Sequence, residues 1–393
     1  MFRISILSSF TVLMILFNIC CGPSSEKLEQ RQGANLIMDY FAYFGSYTEG
    51  TAAGEGIYLY RFNARNGVMT KSGLAIKALN PMFLTVHPNQ KYLYAVNLHP
   101  GKEGQVSAFK INRKTGRLKL LNQVSAGGVT SCYLSINSEG KMLAVANYSS
   151  GNTVSFPVNK DGTVGQAASI IQHHGSSIDP SFQDRPHAHS AIFSPNNRFV
   201  IAADVGTDEV YTYRANPITA KIEPHDPSAT KVKPGSGPRH LVFHPSGQFC
   251  YVINEAGNTV IVFKWIEETG VLEKMQMIAT VPLDFEGTSH TAEIVVHPSG
   301  KFLFGSNRGH DSIVVFSIDS ISGILTTVEY QSSEGNFPTN FNLDPTGSFL
   351  FAANERSDSV VTFSVNQDSG HLTPTKQVLT IPNPACLRWV PVQ

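Results

Sequence analysis

The sequence predicts an all-β protein, a seven-bladed β-propeller with four antiparallel strands per blade and a ring closed by a blade shared between the N- and C-terminal strands. Three observations predict it. A short phrase recurs, clearest in Gly237-Pro238-Arg239-His240-Leu241-Val242-Phe243-His244-Pro245-Ser246-Gly247-Gln248-Phe249-Cys250-Tyr251-Val252-Ile253-Asn254-Glu255. The phrase returns at a period of about 50 residues, which points to propeller blades. The two ends of the chain supply complementary fragments of one further unit.

Each copy reads as strand, tight turn, strand. Leu241-Val242-Phe243 is a β-rich apolar run, and His244-Pro245-Ser246-Gly247 supplies Pro to start a turn and Gly for positive φ. The turn recurs as His87-Pro88, Asn137-Ser138, Ser194-Pro195, His297-Pro298 and Asp344-Pro345. The apolar strand after each turn ends in Asn97, Asn147, Asp204, Asn254, Asn307 or Asn354. Third strands follow, as at 260–263, 313–318 and 360–365, then turns at Thr269-Gly270, Ser322-Gly323 and Ser369-Gly370, then a looser fourth strand. The longest interval, from Asn137 to Ser194, carries an insertion at 173–184. Residues 40–46 resemble a second strand and 56–62 a third, with no first strand ahead of them; 384–390 resemble a first strand with nothing after it. Joined, they complete a seventh blade and remove an open edge. Residues 36–393 are expected to form this one domain.

The N-terminus differs. Arg3 precedes an apolar run at 4–19 that ends in Cys20-Cys21-Gly22. This is the pattern of an export leader over 1–21, of the lipoprotein type, with Cys20 or Cys21 as the lipidated residue. Residues 22–35 are polar and read as a tether. The expected location is therefore periplasmic or outer-membrane-anchored, with membrane contact through the lipid alone. Lys+Arg and Asp+Glu both number 30, which gives no reason to expect a nucleic-acid partner. Cys132, Cys250 and Cys386 are odd in number and lie in or beside apolar runs, as core thiols do. A monomer is expected.

Propeller geometry locates the site. The first strand of each blade lines the channel and starts on the face where the second strand ends. First-strand entries fall at Met82-Phe83, Cys132-Tyr133, His189-Ser190, Arg239-His240, Ala292-Glu293, Thr339-Asn340 and Ala385-Cys386. The positions after the second strands are Leu98, Tyr148, Val205, Glu255, Arg308 and Glu355. The ionisable ones gather on three consecutive blades: His189, Arg239, His240, Glu255, Glu293 and Arg308. His187, two residues before His189, belongs on the same face by strand alternation. Asp204, His310 and Asp311 lie close by. Acid and base groups beside two arginines on one side of a channel mouth make a candidate active site. His187-Ala188-His189 could be a metal pair, but a metal would want a third and fourth ligand, and nothing in the sequence fixes His173-His174 of the insertion in that place. The sequence has no nucleophile elbow, phosphate loop or dinucleotide fingerprint. The expectation is an enzyme without metal or cofactor that activates water or moves a proton.

Pro186-His187-Ala188-His189-Ser190, Gly237-Pro238-Arg239-His240, Asn254-Glu255 and Asn307-Arg308-Gly309-His310-Asp311-Ser312, in that order and spacing, resemble the seven-bladed propeller lactonase family. That family includes bacterial 6-phosphogluconolactonases and fungal carboxy-muconate cyclases. The resemblance runs from about residue 40 to the end. It implies a small-molecule lactone as substrate and a histidine, two arginines and a glutamate in the site. These fall on His187 or His189, Arg239, Glu255 and Arg308. The other ionisable groups placed at or near the mouth, His240, Glu293, His310 and Asp204, are read as substrate contacts. Glu255 or a histidine would be the base. The chain departs from the family at one blade entry, where Pro338-Thr339 replaces the common Pro-Arg and removes an anion anchor. Carboxy-muconate cyclisation, and a non-catalytic surface propeller binding glycan or peptide, are the alternatives.

Overall fold

A computed structural model describes Met1, residues 39–49 and residues 53–393. The export leader, Cys20, Cys21 and the tether lie outside the described residues. The described chain forms seven four-stranded antiparallel sheets. Their innermost strands are Pro81–Val86, Ser131–Ile136, Ala188–Phe193, Pro238–Phe243, His290–Val296, Pro338–Leu343 and Pro384–Pro391, which define blades 1 to 7. Each innermost strand packs against those of both neighbouring blades, and that of blade 7 touches blades 6 and 1, so the ring closes. Blade 7 is the shared blade: Pro384–Pro391 pairs with Asp39–Ser46, which leads to Gly56–Asn63 and Val68–Lys77.

The recurring turns latch blade to blade. The His87 ring meets the carbonyl of Gly140 at 3.0 Å, His244 that of Gly300 at 2.9 Å and His297 that of Gly347 at 3.0 Å, all through Nε2. Each Nδ1 accepts a backbone N–H two residues on, from Asn89, Ser246 or Ser299, which leaves the proton on Nε2. The outer turns latch by packing. Gly270, Gly323 and Gly370 have φ of +71°, +70° and +79° and sit on the rings of Phe199, Phe249 and Phe302 of the preceding blade.

Three local devices aim side chains at the channel mouth. First, the residue ahead of the innermost strand is left-handed in five blades: Asn80, Thr130, Gly237, Phe337 and Asn383, with φ from +35° to +64°. Second, its carbonyl accepts the N–H of the residue after the second strand. The pairs are Leu98 to Asn80, Tyr148 to Thr130, Val205 to His187, Glu255 to Gly237, Glu355 to Phe337 and Tyr47 to Asn383. In blade 5 the equivalent pair, His290 and Arg308, continues the ladder instead. Third, the strand bulges at its second residue. Met82, Cys132, His189, Arg239, Thr339 and Ala385 are skipped by the pairing, and in blade 5 Ala292 and Glu293 are. A bulged residue leaves the ladder and re-aims its side chain; here it points into the mouth.

Candidate active site

The bulged residues Met82, Cys132, His189, Arg239, Thr339 and Ala385 wall a cavity of about 340 Å³ at the mouth of the channel. The residues after the second strands, Tyr47, Leu98, Tyr148, Glu255, Arg308 and Glu355, supply the rest of its rim. Six of the seven bulges and six of the seven rim positions therefore converge. Val205 is the rim position that does not, being fully buried in blade 3.

Glu255 organises the charge. Its Oε1 accepts from Arg308 Nη2 at 2.5 Å, and its Oε2 lies 3.2 Å from Arg239 Nε. Arg308 also donates from Nη2 to Thr291 O at 3.0 Å and from Nε to His290 O at 3.3 Å. Arg239 Nη1 donates to Ala292 O at 2.7 Å and lies 3.3 Å from His240 Nε2. Neither Arg239 Nη2 nor Arg308 Nη1 has a hydrogen-bond partner among the described residues, so each can serve a ligand. Burial alone would raise the Glu255 carboxyl; Arg308 and Arg239 outweigh it and hold the group below the usual carboxylate range. Glu255 is thus a fixed anion that positions two cations and a poor acceptor of protons.

His189 faces this pair. Burial first, then Arg239, His240 and Arg308, push its pKa well below that of free imidazole. Its Nδ1 lies 3.9 Å from Cys132 Sγ, and Nε2 has no protein partner among the described residues. A neutral imidazole with a free nitrogen, on a cavity that holds two unsatisfied guanidinium nitrogens, can take a proton from water while the cations bind a forming oxyanion. His240 is a supported neighbour. Its Nδ1 lies 3.0 Å from Glu293 Oε1, and Glu293 also accepts from Asn340 Nδ2. Arg239 donates toward Nε2, which puts the proton of His240 on Nδ1. Phe83 and Tyr133 meet the His240 ring edge-on at 5.8 and 5.0 Å.

Four expected site residues are placed elsewhere. The bulge at His189 breaks the alternation that put His187 on the same face. His187 instead precedes the strand, stacks on Tyr148 at 4.4 Å and points Nδ1 at Tyr148 O, 3.1 Å away, outside the cavity lining. Asp204 is fully buried. At this strand end five other blades use Asn, and in four of them the amide donates to a neighbouring carbonyl: Asn97 to Leu79, Asn147 to Ala126, Asn307 to Thr280 and Asn354 to Ser333. A carboxylate only accepts, so Asp204 takes the N–H groups of His187, Gly206 and Thr207 and pairs with His173 Nδ1 at 2.6 Å. This pairing fixes the start of the insertion. His310 Nδ1 lies 2.6 Å from Ser312 Oγ, and its ring packs against Phe285 rather than lining the mouth. Glu293 acts through His240 and does not line the cavity itself. Among the described residues no group of three or more His, Cys, Asp or Glu is arranged to hold a metal.

Cys132 departs from the core role expected of it. It stands in the cavity wall, and burial pushes its thiol up to about 12. Thr130, Phe337 and Tyr47 also line the cavity and were missed by sequence reading, and of these Tyr47 is the recoverable one. It follows the second strand of blade 7 as Glu255 follows that of blade 4, and the same register applied to the N-terminal fragment identifies it.

Residues 41–389 match the model of a family described as lactonase, 7-bladed beta-propeller. The chain belongs to this lactonase family. Among curated members, a 6-phosphogluconolactonase of Bacillus subtilis is 34% identical over 309 residues, 78% of this chain and 86% of its own. A 6-phosphogluconolactonase of Formosa agariphila is 34% identical over 313 residues, 77% of this chain and 86% of its own. The solved periplasmic gluconolactonase of Pseudomonas aeruginosa superposes on this lactonase fold with a TM-score of 0.85 at 33% identity, over 90% of this chain and all of its own.

Proposed function

We propose that this lactonase hydrolyses the ring ester of a sugar lactone in the cavity at the mouth of the propeller. One observation carries the assignment of roles: Glu255 holds Arg239 and Arg308 side by side on the cavity that also presents the neutral His189. In this reading the lactone carbonyl lies against Arg239 Nη2 and Arg308 Nη1. Water attacks the carbonyl carbon and passes a proton to His189 Nε2, while the two guanidiniums stabilise the oxyanion. The tetrahedral intermediate collapses, the ring C–O bond breaks, and the imidazolium returns its proton to the departing alkoxide. The product is the open hydroxy acid, and the enzyme is regenerated. Glu255 and Glu293 are positioning residues, acting on the arginines and on His240.

Export is part of the proposal. It rests on the leader pattern at 1–21, with acylation at Cys20 or Cys21, and accords with a relative named as periplasmic.

The test is lactone opening by Arg239→Met, taken as the excess over the spontaneous rate, with circular dichroism to verify the fold. Losing one oxyanion donor should lower kcat by about 10²–10³-fold. Unchanged turnover in a folded variant removes Arg239 from the mechanism.

A further inference from the structure

The cavity holds a second carboxylate that makes no ion pair among the described residues. Glu355 follows the second strand of blade 6, with its N–H bonded to Phe337 O at 3.0 Å, and lines the cavity. The side-chain hydrogen bond it accepts comes from Thr339 Oγ1 at 2.6 Å. Arg239 and Arg308, the cations of the lining, are both committed to Glu255. The lining is therefore neutral in sum but polarised, with the cations on blades 4 and 5 and an unpaired carboxylate on blade 6. Tyr47, next along the rim, registers that charge. Burial raises its phenol pKa most and Glu355 next, outweighing the opposing pull of Arg239 and Arg308, so the hydroxyl stays a donor.

The substrate must span this asymmetry. With its ester on the two arginines, the remainder of a sugar lactone reaches toward Met82, Leu98 and Ala385, which are apolar, and toward Tyr47, Thr339 and Glu355, which are polar. Among the described residues that part of the wall carries no cation of its own, and the charge of Arg239 and Arg308 reaches it only from across the cavity. Thr339 spends its proton on Glu355 and leaves the other carboxylate lone pairs to the cavity. Hydroxyl groups of a polyol are the donors such a carboxylate accepts. A phosphate dianion there would lose water, gain no cation and meet like charge.

Resting on the lactonase reading, we propose that Glu355 determines specificity: it binds the hydroxyl end of uncharged aldonolactones and rejects their phosphate esters.

The experiment compares wild type, Glu355→Gln and Thr339→Arg on glucono-δ-lactone and on its 6-phosphate, with blanks subtracted and thermal melts confirming each fold. Like-charge juxtaposition is costly enough that wild type should favour the neutral lactone by about tenfold or more in kcat/KM. Glu355→Gln keeps the shape and one acceptor oxygen but not the charge. It should raise KM for the neutral lactone and move the preference toward the phosphate ester by about tenfold. Thr339→Arg leaves Glu355 in place, supplies it with a cation, and should move the preference the same way. A wild type that opens the phosphate ester as well as the neutral lactone overturns the inference while the lactonase reading stands. So does a preference that neither variant changes. If wild type opens neither lactone, the underlying reading falls, and this one with it.

Discussion

At the scale of single residues, the site is a problem of burying charge without neutralising it. Arg239 and Glu255 are 6% and 9% exposed, and a buried carboxylate survives as an anion only because two guanidiniums face it. Burial first, and the same cations after it, keep His189 neutral, which fixes the expected pH profile. A base whose pKa is depressed in the folded state is already deprotonated at the pH where free imidazole titrates, near 6.5. The excess rate over blank should therefore hold level from about pH 8 down through 6.5 and fall only below it. In His189→Gln the acid limb should vanish along with most of the rate. An acid limb that persists at the same pH in that variant would exclude His189 as the base. Linkage has the same sign. The unfolded chain binds the proton more readily, so the contribution of neutral His189 to stability is full above about pH 6.5 and is lost as pH falls below it. His187 shows where sequence reading stops at this scale. Two residues apart on a strand means one face, unless a bulge intervenes, and a bulge leaves no signature in Ala188-His189-Ser190. The three arginine and glutamate positions were legible because register on a repeated turn carries them to the mouth. The pairing of His240 with Glu293 was not, because it joins two blades.

At the scale of the element, the repeat is legible because it is built from contacts that only certain residues make. The outer-turn glycines are an instance. A Cβ at Gly323 would stand 2.5 Å from Phe249 Cγ, and φ there is +70°. Gly323→Ala should then cost about 2 kcal/mol, from left-handed strain and from overpacking together. Gly101 separates the two. Its φ is +66°, but nothing lies within 4 Å of an added Cβ, so Gly101→Ala should cost only the strain, about 1 kcal/mol. Melting temperatures of both variants measure the difference. Equal shifts would mean that the ring of Phe249 gives way and the latch adds no specificity. Phe337 is the contrasting case, a bulky residue at φ +63° on the cavity rim. Asp311 accepts its N–H at 2.9 Å and the amide of Asn336 at 2.7 Å, which holds the strained turn in place. Nothing in the local sequence marks Phe337 as left-handed, since the constraint comes from blade 5.

At the scale of the molecule, the ring stands or falls with blade 7. Pro384–Pro391 pairs with Asp39–Ser46 over nearly the whole length of both strands and brings Ala385 to the cavity wall. A chain ending before Pro384 would leave that edge open, a template for pairing with other chains. The expected outcome is a species that elutes as oligomers in size-exclusion chromatography and opens no lactone. A monomeric, active truncation would show that six blades and a partial seventh suffice. The closure also sets an order in time. Ribosomes make the Asp39–Ser46 strand early and its partner more than three hundred residues later, so the growing chain carries an unanswered edge through nearly all of its synthesis. The arginines and their glutamate are in hand long before the wall that completes their cavity, and catalysis is among the last properties the nascent chain acquires.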